Sequence, residues 1–305
     1  MESCYLGIEI GGTKLQLVVG DSRGNIQERR RLNADAQAGG AGIRAQIGAS
    51  LPELIVNFQP RAIGVGFGGP VDWRTGLICC SHQVEGWADF PLGEWLHKIS
   101  GLPVRVDNDA NVGALGEATR GAGADASPVF YCTLGSGVGG GLVVEGKIFH
   151  GAKPGEVELG HLLLDRSGAI VESRCSGWAV DKRIRAANEM HPDSALAKLC
   201  TGQTRGEAKY LITAVQTGDA TARRILDDLA EDLAFALSHV VHLLHPQVIA
   251  LGGGLGLMGE PLAKAVGDIL PRFVMEAFAP GPRVFAAVLG EDSIPAGALV
   301  LAANQ

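Results

Sequence analysis

The chain has 305 residues, 46% of them hydrophobic but only 5% aromatic, with 44 glycines and a formal charge of −7. That length exceeds what one core usually fills and predicts two domains, and the composition excludes a disordered or fibrous chain. The acidic balance argues against a nucleic-acid partner, because phosphate backbones are bound by an excess of Lys and Arg.

Residues 5–26, YLGIEIGGTKLQLVVGDSRGNI, read as strand, glycine turn, strand, turn and strand. In the first turn Gly11, Gly12 and Thr13 offer amides and a hydroxyl, and Lys14 adds a point charge suited to phosphate. Glu9, at the end of the strand, is placed to hold a hydrated Mg²⁺. A plain hairpin has the same glycines, so this turn alone decides nothing. Arg29, Arg30 and Arg31 read as a solvated turn or strand edge. A helix over roughly 40–57 leads into RAIGVGFGGPVD, residues 61–72, a strand ending in glycines. The strand LPVRVDN follows, and then the helix NDANVGALGEATR. Asp107, Asn108 and Asp109 are all good helix caps, although one suffices. An acid at a helix start beside a cleft is also placed to take a proton from a hydroxyl nucleophile.

Residues 130–149, FYCTLGSGVGGGLVVEGKIF, repeat the first strand–turn–strand–turn–strand pattern, with Gly135, Ser136 and Gly137 as the matching cradle. Three stock signatures fail here on context. The glycines 135, 137 and 140 of a dinucleotide fingerprint lead into a strand rather than a helix, which also excludes a two-domain dehydrogenase. The P-loop-like GLVVEGK has Ile148 where a Ser or Thr should hold magnesium, and the calcium-loop-like DNDAN has Val112 where glycine is needed. GEVELGH (155–161) and VES (171–173) place Glu158, His161 and Glu172 in looping, glycine-flanked sequence, as acceptors of the kind that read sugar hydroxyls.

A helix over 219–244 carries Ile225, Leu229, Leu233, Leu237, Val240 and Leu244 at helical spacing. PQVIALGGGLG is a strand ending in Gly253 and Gly254, and PRVFAAV and IPAGALVLAAN supply a last strand and helix. The order of three strands, helix, strand, helix, strand, helix is thus written twice. It predicts two related α/β domains across a central cleft, with ligands at the glycine-rich strand ends. The six cysteines, Cys4, Cys79, Cys80, Cys132, Cys175 and Cys200, form no C-x-x-C pair and read as reduced thiols. With no basic leader and no apolar run of bilayer length, the expectation is a cytoplasmic protein with no membrane partner.

Six segments in this order resemble the ROK (repressor, open reading frame, kinase) family of sugar kinases and sugar-sensing repressors, over essentially the whole chain. GIEIGGTK and LGSGVGGG resemble its two phosphate motifs, and GVGFGGPVD its glycine-proline loop beside the sugar. NDAN resembles the catalytic segment, ELGH followed by VES the sugar-contacting pair, and LGGGLG the adenosine-side glycines. The resemblance implies an actin/hexokinase-like fold of duplicated ribonuclease-H-like domains. One domain would comprise residues 1–114 plus 294–305, with the last helix packed back on it, and the other residues 115–293. It implies Asp109 as general base, and Gly68, Asn108, Asp109, Glu158, His161 and Glu172 around the sugar. Gly11, Gly12, Thr13, Lys14, Gly135, Ser136, Gly137, Gly253 and Gly254 would hold ATP, with Mg²⁺ bound through water near Glu9. A homodimer is usual in the family.

Two departures bear on this expectation. Glu9 stands where relatives commonly carry Asp. Many relatives bind structural zinc through a histidine and a cysteine run, but here HLLLDRSGAIVES has no cysteine and Cys175 lies beyond it, so no zinc is expected. The leading expectation is an ATP-dependent, glucokinase-like hexose kinase acting on the 6-hydroxyl. Fructose, mannose, allose and N-acetylmannosamine are alternative acceptors, and polyphosphate an alternative donor. A different class, a non-catalytic sugar sensor or repressor, is disfavoured by the acidic charge and by a first strand starting five residues in, without the family's helix-turn-helix.

Overall fold

The computed structural model describes residues 3–12, 14–33, 38–81, 84–155 and 157–304. In chain order the first half contains β1 (Tyr5–Ile10), β2 (Lys14–Gly20), β3 (Ile26–Asn33), α1 (Gly39–Phe58) and β4 (Ile63–Phe67). The short strands β5 (Val71–Asp72), β6 (Leu77–Ile78) and β7 (Phe90–Pro91) follow, then α2 (Leu92–Ser100), β8 (Val104–Asn108) and α3 (Asp109–Arg120). The second half opens with β9 (Val129–Leu134), β10 (Val138–Val144) and β11 (Lys147–Ile148). It continues through α4 (Val171–Cys175), α5 (Gly177–Met190), α6 (Ala195–Leu199), α7 (Leu211–Gln216) and α8 (Ala220–Leu244). It ends with β12 (Val248–Gly252), α9 (Gly253–Gly256), α10 (Glu260–Ile269), β13 (Arg283–Ala286) and α11 (Ser293–Ala303).

The strands form two five-stranded sheets ordered β3-β2-β1-β4-β8 and β11-β10-β9-β12-β13, so each has the same topology, with a small third sheet of β5, β6 and β7. In the first sheet β1 pairs antiparallel with β2 and parallel with β4, and β4 parallel with β8. In the second, β12 runs parallel to both β9 and β13. The duplication expected from the glycine turns is therefore present strand for strand, although the third strand of the second copy has two residues against eight in the first. Its turn, Glu145–Gly146, has both residues at positive φ and closes Val144 onto Lys147, as a two-residue hairpin of primed type requires.

The chain divides into two compact units, Met1–Asp125 with Gly141–Val157 and Glu291–Gln305, and Ala126–Gly140 with Glu158–Gly290. In the first unit Leu6, Ile8 and Ile10 of β1 and all of β4 are buried, together with Ile43, Ile47, Leu51 and Leu54 of α1 at helical spacing. Helix α11 packs on α3, β1 and β4. A Cβ on Gly116 of α3 would lie 3.0 Å from the Gly297 nitrogen of α11, so the two helices cross with backbones in contact. The basic run Arg29–Arg31 lies in the edge strand β3, where Arg29 pairs with Asp292 at 2.6 Å and Arg30 with Glu53 at 2.5 Å.

In the second unit α8 buries Ile225, Leu229, Leu233, Leu237 and Val240, while Leu244 is half-buried. Asp219 caps this helix, accepting from the N–H groups of Thr221 and Ala222 at 2.8 and 3.1 Å. No disulfide joins the six cysteines. Among the described residues, no helix is long and apolar enough to cross a membrane.

Candidate active site

In the first unit, β1 delivers Glu9 and the turn after it. Glu9 faces Gln16 across the β1–β2 pairing and its Oε2 accepts a hydrogen bond from Gln16 Nε2. Gln16 Oε1 in turn accepts from Arg29 at 3.1 Å. Burial pushes the Glu9 carboxyl above its ordinary value, against the hydrogen bond from Gln16 and the charge of Lys14. The turn is closed by Gly11 N–H donating to the Lys14 carbonyl at 2.8 Å, and Gly11 and Gly12 are half-buried. Thr13 lies outside the described residues. Lys14 is exposed and its Nζ pairs with Glu291 at 2.7 Å, a contact of the exposed kind that contributes about 0–1 kcal/mol.

The ends of β4 and β8 complete this cluster. Gly68 N–H donates to the Ile10 carbonyl at 2.8 Å, which brings the glycine loop after β4 beside the turn after β1. Asn108 caps α3, accepting from the N–H groups of Ala110 and Asn111 at 2.9 and 3.3 Å, and its Nδ2 donates to Gly69 O at 3.2 Å. Capping therefore falls to Asn108 and not to Asp109, the first residue of the helix. Asp107 is a buried anchor. Its Oδ1 accepts from Asn108 N–H and from Asn111 Nδ2, both at 2.9 Å, and its Oδ2 lies 2.7 Å from His150 Nε2. Trp73 stacks on the His150 ring with centroids 4.1 Å apart. The partnership of Asp107 with His150, 43 positions away, has no local sequence signal and comes only from the fold. A cavity of about 1270 Å³ in this unit is lined by Trp73, Arg105, Asp107, Lys147 and His150 among others, and none of the expected sugar or phosphate contacts lines it.

In the second unit, the turn after β9 is pinned from several sides. Gly135 N–H donates to Gly137 O at 2.9 Å, and Gly177 N–H, at the start of α5, donates to Gly135 O at 2.7 Å. Gly253 has φ +73 and a Cβ there would lie 2.6 Å from the Leu134 nitrogen, so the glycine start of α9 touches the same turn. Gly254 is exposed and Ser136 half-buried. Glu158 and His161 are exposed; Glu158 precedes and His161 ends the turn Leu159–His161, whose Gly160 would drive a Cβ into the Val138 carbonyl. Glu172 sits on α4 rather than in a loop, and its Oε2 accepts from Val138 N–H at 2.9 Å. The structure thus gathers the second glycine turn, the Glu158–His161 segment, Glu172 and Gly253 into one cluster.

The stretch between His161 and Glu172 is closed by protein groups. Leu163 bridges Ile170, Leu164 N–H donates to Ala169 O at 2.7 Å, and Arg174 pairs with Asp165 at 2.9 Å and with Asp232 at 3.3 Å. Cys175 is buried and desolvation pushes its thiol far up, the state least suited to a metal ligand. Among the described residues, no group of three or more His, Cys, Asp or Glu side chains is gathered to hold a metal ion.

The sequence model of the ROK family matches residues 5–305. The chain is 32% identical to a glucokinase of Halalkalibacterium halodurans over 304 residues, covering 95% of this chain and 92% of that one. It is 28% identical to a glucokinase of Thermotoga maritima over 296 residues, covering 94% and 93%. Its fold superposes on a ROK family glucokinase from Streptomyces griseus, solved with glucose and AMPPNP, with TM-score 0.86, 28% identity and coverage of 99% and 100%.

Proposed function

The chain belongs to the ROK family as a sugar kinase of the actin/hexokinase-like fold, and from that premise we propose that it transfers the γ-phosphate of ATP to the 6-hydroxyl of a glucose-like hexose. Asp109 is the general base: it takes the hydroxyl proton as the sugar oxygen attacks the γ-phosphorus in line. Phosphoryl transfer asks little covalent chemistry of the protein, so the remaining residues act by position and charge. Gly68, Asn108, Glu158, His161 and Glu172 orient the sugar. The amides of Gly11, Gly12, Gly135, Ser136 and Gly137, with Thr13 and Lys14, hold the phosphates, and Gly253 and Gly254 border the adenosine.

With Asn108 capping α3, Asp109 places its carboxylate at the helix start beside Gly68, where a Cβ would come within 3.3 Å of Oδ2. A helix N-terminus favours the ionised carboxylate that a base must be before it accepts a proton. Glu9, at the strand end two residues before Gly11 with its Oε2 held by Gln16, would be the outer-sphere anchor of a Mg²⁺ brought by the triphosphate, which would supply neutralising charge. The donor chemistry of the 161–175 region does not fit zinc, and we include no zinc in the mechanism.

A coupled ADP-release assay over glucose, mannose, fructose, allose and N-acetylmannosamine tests this function. Turnover greatest with glucose is expected. No turnover on any sugar, with binding retained, would instead favour a non-catalytic sugar sensor.

A further inference from the structure

We propose that Glu172 couples the sugar and nucleotide sites, one carboxylate oxygen bracing the second phosphate turn while the other receives a sugar hydroxyl. The inference rests on the sugar-contacting role given to Glu172 above and adds to it a role toward ATP. Oε2 already accepts the Val138 N–H at 2.9 Å, and Val138 is the first residue after the Gly135–Gly137 turn. The fit is tight: a Cβ on Gly137 would stand 2.5 Å from Oε2. Two further contacts converge on the same turn. Gly160, next to His161, packs its backbone on the Val138 carbonyl, and Gly177 donates to Gly135 O from the start of α5. Residues expected to read sugar hydroxyls therefore bear directly on the backbone expected to hold phosphates.

The physical consequence is a shared constraint. A sugar hydroxyl donating to Oε1 fixes the carboxylate plane, and that plane sets the direction in which Val138 and the preceding amides are held. Ordering done by the first ligand need not be repeated for the second, which gives positive coupling, equal in both directions.

The test measures, by calorimetry, the affinities of AMPPNP with Mg²⁺ and of the hexose with the highest turnover in the panel, each with and without the other. Glu172→Ala is expected to weaken nucleotide binding about 10-fold even without sugar, because the phosphate turn loses the hydrogen bond that orders it and nucleotide binding must then supply that order. It should also reduce coupling from the about 5–150-fold range of linked sites to below about 2-fold. Glu172→Gln keeps an oxygen for the Val138 N–H and should restore nucleotide affinity while sugar affinity stays low. Gly137→Ala approaches from the other side: its Cβ must displace the Glu172 carboxylate, so a phosphate-turn substitution should weaken sugar binding. If Glu172→Ala alters sugar affinity alone, or nucleotide affinity alone, the coupling proposal is wrong. If it alters neither, the sugar role of Glu172 fails first. Should Glu172→Ala not fold, Gly137→Ala decides, and native sugar affinity in that variant overturns the proposal.

Discussion

Gly68 and Asp109 meet so closely that a Cβ on Gly68 would stand 3.3 Å from Asp109 Oδ2, with the Ile10 carbonyl at 3.4 Å on another side. The absence of a side chain at position 68 therefore leaves room for the carboxylate where it stands. Gly68→Ala should shift that carboxylate by a few tenths of an ångström and lower kcat about tenfold, less than the roughly 10² that a 1 Å misplacement costs. Steady-state kinetics with a parallel thermal melt check this, and unchanged kcat would separate Gly68 from the catalytic geometry.

His150→Ala should leave Asp107 Oδ2 buried without the partner now 2.7 Å away; the side chains of Asp107 and His150 are 4% and 15% exposed. The expected loss is about 1–3 kcal/mol, the cost of an unsatisfied buried acceptor. Urea unfolding measures it. A change within about 0.5 kcal/mol, as for ordinary surface substitutions, would show that water replaces the imidazole without loss.

These two sites mark how far the sequence is readable. The doubled order of strands and helices was legible because glycine turns, apolar strands and the α8 spacing are local patterns, and both sheets have the order that this implies. Asn108 as cap was legible as one of three candidates, since cap chemistry is local too. The Asp107–His150 pair, the Gln16 bond to Glu9 and the Glu172 bond to Val138 were not, because each joins groups that only the folded chain brings together. The segment VES reads as a loop because a five-residue helix is too short to show a period.

Glu9 gives a pH-dependent prediction. Burial raises its folded-state pKa above the ordinary 4.5. A group raised in this way contributes stability that is fully present below its unfolded pKa and is lost as pH rises through the folded one. Glu9→Gln, which cannot ionise, should therefore melt higher than the native protein at about pH 8 and converge with it near about pH 4. The same variant should need more Mg²⁺ for half-maximal turnover. A native protein that melts higher at alkaline pH would contradict the assignment of an unfavourably buried charge.

Metal analysis of purified protein should find zinc well below one equivalent per chain. The 161–173 stretch has no cysteine, and the Leu163–Ile170 bridge and the Arg174–Asp165 pair already close it. Stoichiometric zinc, removed by chelation with loss of sugar affinity, would refute this reading.

The most direct measurement of the central claim is turnover by Asp109→Asn, with sugar affinity measured on the same preparation. Loss of a general base lowers the rate by about 10²–10⁴, and Asn keeps the size and polarity of the side chain beside Gly68. A fall of that order in kcat is expected, with sugar binding retained. Near-native kcat in the Asn variant would contradict it and remove Asp109 from the chemistry.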